Sequence, residues 1–322
     1  MMMKSSWLGC MTAAVALSCL GCDGIEDDGA TAAIDDFGEG SVQARLAQFN
    51  GTRFNGTRFN GYRFNSSLLY GSNTSEYVQL YDFWHPDEGY TIYGDLVGGE
   101  LHIENLDGWD VEGGEFNFKV KENGVTKWKY VWIKRADPVP GFSDVWEYDL
   151  DMQIGAGPWE KLCLDDNGNP IKALLIGEVY DPVTKSKVVP RPSKAMTFAC
   201  KDGALAKCVL FGYRPWASHN GTQLADYHQA CTRMVRADYC GNGDSHTEAG
   251  VPIHVLDQIG IQNAEPDVNF EIEAEWGPNG AVCLNPGSTR IPGAASNLSC
   301  NIPTCGTPFA SGGLIQSGKI VP

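Results

Sequence analysis

Positive charge is scarce in this chain. Lys and Arg number 24 against 40 Asp and Glu, which leaves a formal net charge of −16. That balance argues against attraction to nucleic acid, or to anionic lipid, by charge. Long apolar runs are missing as well: the N-terminal one, residues 7–20, is too short to span a bilayer. Cysteine is missing from residues 23–162. Among the eight cysteines beyond that gap there is no CxxC pair and no CxxC…HxxxH spacing, which argues against zinc. Gly-x-Ser-x-Gly, HExxH, Walker and dinucleotide fingerprints are also absent. No cofactor is implied.

What is present first gives an address. Lys4, followed by the apolar and small residues 7–20, reads as a signal peptide over residues 1–21. Cys19-Leu20-Gly21-Cys22 resembles a bacterial lipobox, with small Gly21 before the candidate lipidation site Cys22 and Cys19 where Leu is usual. The implied partner is a membrane, reached through an N-terminal lipid; the alternative is plain secretion. Residues 22–45 are acidic, rich in Gly and Ala and poor in large apolar groups, so a disordered linker is expected. Removing residues 1–21 takes away Lys4 and shifts the net charge from −16 to −17.

The cysteines agree with export. Cys163, Cys200, Cys208, Cys231, Cys240, Cys283, Cys300 and Cys305 form an even set in the second half, the pattern of four disulfides. Eight cysteines allow 105 pairings.

Residues 46–71 hold a period-five repeat, with Phe at 49, 54, 59 and 64. It resembles a pentapeptide repeat. Four units make about one coil, which cannot bury its own face, so the segment either docks on the next domain or stays flexible. Residues 72–143 read as antiparallel strands, because 77–81 and 115–121 alternate. Asn123-Gly124 signals a hairpin, with Lys119, Lys121, Lys127 and Lys129 expected on its wet face. Residues 144–305 mix types, with a strand expected over 144–154, another over 171–180, and helices over 203–213 and 225–239. Residues 306–322 read as a tail. The expected class is α+β: an antiparallel β-rich N-terminal part, then a disulfide-rich mixed α/β domain with two main helices.

The most distinctive stretch is HQACTRMVRADYCG, residues 228–241. Before it stand Thr197-Phe198-Ala199-Cys200, Gly203-Ala204-Leu205-Ala206-Lys207-Cys208 and Gly212-Tyr213-Arg214-Pro215-Trp216. After it come Ser245-His246-Thr247, Pro252-Ile253-His254 and Glu275-Trp276-Gly277-Pro278. Over about residues 145–305 the chain resembles the ADYC domain family of exported bacterial proteins. The resemblance implies a fold unit and an address, and no reaction.

Three chemistries deserve weighing. Cys240, His246, His254 and Asp257 supply the residue types of a cysteine hydrolase. Against that, a free Cys240 would orphan one of eight cysteines, and the end of a helix does not activate a thiol. His228, Asp238, Asp244, His246 and Glu248 are candidate metal ligands, yet Gly241 to Ser245 also reads as a helix-ending turn. Asp165, Asn167 and Asn169 imitate the start of a calcium loop, but Pro170 stands where its glycine belongs. Finally, exposed aromatics such as Trp84 and Trp109 suit a sugar or peptide ligand, although most aromatics serve the core. The leading expectation is an envelope protein with a binding or structural role. The alternative is an exported hydrolase of peptide or glycan using His246 with a nearby Asp or Cys.

Overall fold

A computed structural model describes Thr57–Phe59, Ser67, Leu69 and residues 75–191, 196–263 and 269–321. The signal peptide, the linker and most of the repeat lie outside these residues, and so does Cys22. The first strands are β1 (Thr57–Phe59), β2 (Ser75–His85), β3 (Gly89–Thr91), β4 (Asp95–Val97) and β5 (Glu100–His102). Then come β6 (Glu115–Glu122), β7 (Val125–Pro138), β8 (Trp146–Ile154), β9 (Glu160–Lys161), β10 (Ala173–Ile176) and β11 (Thr197–Cys200). Helix α1 (Ala204–Leu210) and the short β12 (Ser218–His219) and β13 (Thr222–Gln223) lead to helix α2 (Ala225–Arg236). The chain closes with β14 (Pro252–Asp257), β15 (Asn269–Gly277), β16 (Gly280–Leu284) and β17 (Ile315–Val321).

Two antiparallel sheets carry the fold. The larger runs β11-β10-β8-β7-β6-β2-β3, with β9 beside β8. Asn123 and Gly124 take φ of 51° and 75°, the left-handed pair that a two-residue hairpin requires, and join β6 to β7. Alternation then sends Phe116, Phe118, Val120, Val131 and Ile133 inward onto Tyr148, Leu150 and Phe198. Each such fully buried side chain contributes about 1.5–3 kcal/mol. The smaller sheet runs β1-β14-β17-β15-β16 and packs Trp276, Ile253, Val255 and Ile315 with Tyr239, Met234 and Cys231 of the α2 region. The two α-helices are tied to each other by Cys208–Cys231.

Three sequence expectations change, and for the repeat the described residues favour the docked alternative. Lys127 and Lys129 fall in phase with Val131 and Ile133 on the inner-facing register of β7, but only Lys129 leaves the solvent; Lys127, nearer the strand's start, stays exposed as expected. Lys129 is buried and paired to Glu122 at 2.5 Å. The boundary at residue 143 separates no sheets, since β7 and β8 on either side of it are paired neighbours. Residues 306–322 are more than a tail: β17 lies between β14 and β15. The repeat contributes β1, an edge strand whose Thr57 pairs with His254 and whose Phe59 pairs with Pro252.

Candidate functional site

The motif at residues 237–240 ends helix α2, and each of its residues has a structural task. Ala237 adopts the left-handed conformation, φ 50° and ψ 41°, which turns the chain out of the helix. Asp238 is buried and accepts from Arg233 Nη1 at 2.5 Å and from the Gly243 amide at 3.0 Å. Arg233, also buried, donates to Thr184 O, Ser186 Oγ and Pro278 O, so three segments meet at one guanidinium. Tyr239 stacks on Trp276 and donates to Glu273 Oε1 at 2.7 Å. Burial, then the Glu273 charge, pushes its phenol far above the ordinary value. Cys240 bridges to Cys300. Gly241 follows at φ 67°, and a Cβ there would collide with the Asn279 carbonyl oxygen.

Glu273 is the acid of this cluster. Burial alone would raise its carboxyl; Arg290's charge and hydrogen bonds, with one from Ser317, outweigh burial and hold it below the ordinary value. Arg290 reaches Glu273 at 2.5 Å and also donates to Met234 O. The group is a closed ion pair with satisfied partners, the arrangement in which a buried charge is tolerated.

The hydrolase candidates do not assemble. Cys240 is in a disulfide and has no thiol. His246 donates from Nδ1 to Ala237 O at 3.1 Å, while its amide and the Ser245 hydroxyl donate to Arg236 O. These three bonds cap orphan carbonyls at the end of α2. His254 sits mid-strand, between Thr57 and Gly318. Asp257 accepts from four amides, Ile259 to Gln262, and from the Tyr213 hydroxyl at 2.7 Å. It folds its own turn, and no bond joins it to His246 or Cys240.

The metal candidates are dispersed too. His228 is buried inside α2, donates from Nε2 to Leu205 O at 3.1 Å, and faces the Tyr180 hydroxyl with Nδ1. Burial drives its pKa down to about 4. Asp238 is committed to Arg233, and Asp244 accepts from Asn242 at 2.8 Å. Glu248 is exposed. Among the described residues no cluster of His, Cys, Asp or Glu is arranged to hold a metal. Asp165 likewise closes its own turn, accepting from the amides of Asn167 and Asn169.

The disulfides are Cys163–Cys200, Cys208–Cys231, Cys240–Cys300 and Cys283–Cys305. Cys231 and Cys240 therefore belong to different bridges. Cys283 pairs with Cys305.

The open chemistry lies on the outer face of the larger sheet. Direct register places Trp84, Glu115, Trp132, Asp151 and Lys161 in one row across β2, β6, β7, β8 and β9. A second row holds Asp82, Asn117, Tyr130 and Gln153. Trp84, Pro86, Gly113, Glu115, Trp132 and Trp159 line a cleft of roughly 350 Å³, open to solvent. Trp159 arrives from the loop before β9 and meets Trp132 edge to face at 5.7 Å. Burial, then the Asp82 charge, raises the Glu115 carboxyl above its ordinary value. Nearby, Lys119 sits over both Tyr81 and Trp128, so that part of the face is closed on itself. Trp109 is exposed, but its ring lies edge-on to Trp146 and outside the cleft.

A family model for the ADYC domain matches residues 94–290. The chain belongs to the ADYC domain family. The match begins well upstream of residue 145, in keeping with a sheet that runs unbroken through that point. The ADYC domain so defined holds the motif, Glu115, Trp132 and Trp159; Trp84 and the Cys300 end of the motif's bridge fall outside it. No curated protein and no solved structure matches the chain. Among the described residues, no helix is long and apolar enough to cross a membrane.

Proposed function

We propose that this ADYC protein is an exported envelope protein, anchored by a lipid on Cys22, that works by binding and not by catalysis. One contrast carries the reading. The polar side chains of the motif are engaged by hydrogen bonds, an ion pair and a disulfide, with Asp238 Oδ1 buried and left over, whereas the Trp84–Trp132–Trp159 cleft is open. Four disulfides suit an oxidising compartment. The acidic linker after Cys22 suits a tether between anchor and domain.

Two measurements test it. Cys22→Ser should release the protein from membranes into the soluble fraction; an unlipidated N-terminus at any other residue overturns the anchor. The purified full chain should cosediment with envelope fragments of the producing bacterium, and Trp84→Ala with Trp159→Ala should abolish this while leaving the melting temperature unchanged. Equal cosedimentation of that variant overturns the binding role of the cleft.

A further inference from the structure

We propose that the cleft between Trp84, Glu115, Trp132 and Trp159 binds a neutral, β-linked oligosaccharide. The inference rests on the binding role proposed above and names the ligand class.

Shape comes first. Trp84 and Trp132 flank Glu115 in direct register, so the two indoles stand two strand spacings apart, roughly 10 Å. That is the length scale of a disaccharide unit. Sugar rings with equatorial hydroxyls present C–H bonds on their faces and hydroxyls at their edges. Indoles take the faces and a central carboxyl takes the edges; Lys134 holds one face of Trp132 at 3.9 Å, which leaves that indole its other face. Gly113 leaves the wall beside Glu115 low, since the nearest atom to a Cβ there is Pro86 at 3.9 Å. Apolar walls around few polar groups are the usual make-up of a small-ligand site.

Charge selects against the other occupants. Asp151 is paired to Lys161 at 2.9 Å and to Lys134 at 3.8 Å, and Asp82 accepts from Asn117 at 2.6 Å. Lys134 lies over Trp132 at 3.9 Å. Lys161 also serves Asp149 at 2.7 Å, so two lysines face Asp82, Glu115, Asp149 and Asp151 and the cleft stays acidic within a chain of net charge −16. An anionic polymer or a second copy of this chain would meet long-range repulsion, and a neutral ligand would not. The adjoining cleft between β2 and the β3–β4 turn, lined by Leu80, Tyr81, Thr91, Tyr93, Leu96 and Met196, offers less room, roughly 30 Å³ against 350 Å³.

The test is calorimetric titration of the oxidised full chain with cellohexaose and chitohexaose, with polygalacturonate as the anionic probe. At least one neutral oligosaccharide should bind. Trp84→Ala and Trp159→Ala should each weaken it at least tenfold, Glu115→Gln several-fold, and Trp109→Ala not at all. Circular dichroism of each variant keeps loss of fold apart from loss of binding. Tighter binding of polygalacturonate, or self-association abolished by Trp159→Ala, would overturn the ligand class. Trp-dependent cosedimentation with envelope fragments without any oligosaccharide binding would overturn this inference and leave the binding role standing. Loss of both would overturn both.

Discussion

Tyr239 and Glu273 meet in the dry interior: the phenol donates to Glu273 Oε1 at 2.7 Å, and both side chains are buried. Arg290 and Ser317 complete the acid's partners, so the tyrosine of the motif locks the end of α2 to β15. Removing only the hydroxyl, in Tyr239→Phe, should destabilise by about 1–3 kcal/mol. Glu273→Gln should cost more, ~3–5 kcal/mol, because it leaves the Arg290 charge buried without its counter-ion. Thermal denaturation of both variants checks the order; a neutral Tyr239→Phe would contradict it.

The Cys240–Cys300 bridge closes a loop of 60 residues between α2 and the segment before β17. Cys240→Ser, Cys300→Ser and the double variant should each lose about 2–5 kcal/mol, with the double no worse than the singles. Denaturant unfolding measures the loss. Native-state alkylation of wild-type Cys240 would refute the bridge and restore the nucleophile.

His228 gives a pH signature. Its folded pKa is about 4 against an ordinary 6.5, because burial disfavours the charged ring. A depressed histidine is neutral in both states above pH 6.5. Between pH 6.5 and 4 the unfolded chain takes up the proton and the folded one does not, so stability falls as the pH falls through that window. The loss should approach ~3 kcal/mol. His228→Gln keeps a donor for Leu205 and does not titrate, so its stability should decline less between pH 7 and 4.5 than that of the wild type. Parallel slopes would contradict the assignment.

Much of the framework was legible because local chemistry dictates it. Asn123-Gly124 announced the hairpin, and helices expected at 203–213 and 225–239 appear at Ala204–Leu210 and Ala225–Arg236. The second stops early because Ala237 turns left-handed, a conformation that Gly usually signals and Ala does not. Strand β17 was missed because Gly318 and Lys319 break its alternation; its place between two strands is fixed by tertiary pairing. The Glu273–Arg290 pair was hidden for the same reason, since the two residues belong to separate segments. Half of the cleft was available: a two-residue loop sets Glu122 opposite Val125, and counting back sets Glu115 opposite Trp132. Trp84 and Trp159 join them through pairings and loops that no local spacing specifies.

If the motif is framework and the cleft is function, stability and binding must separate by variant. The most direct measurement is the envelope-binding isotherm of the Trp84→Ala, Trp159→Ala double variant beside that of Tyr239→Phe, at a temperature where both are fully folded. The expected result is binding lost in the double variant, whose melting temperature stays within ~2 °C of wild type, and wild-type binding in Tyr239→Phe despite its lower melting temperature. A folded Tyr239→Phe that no longer binds, beside a double variant that still does, would contradict it.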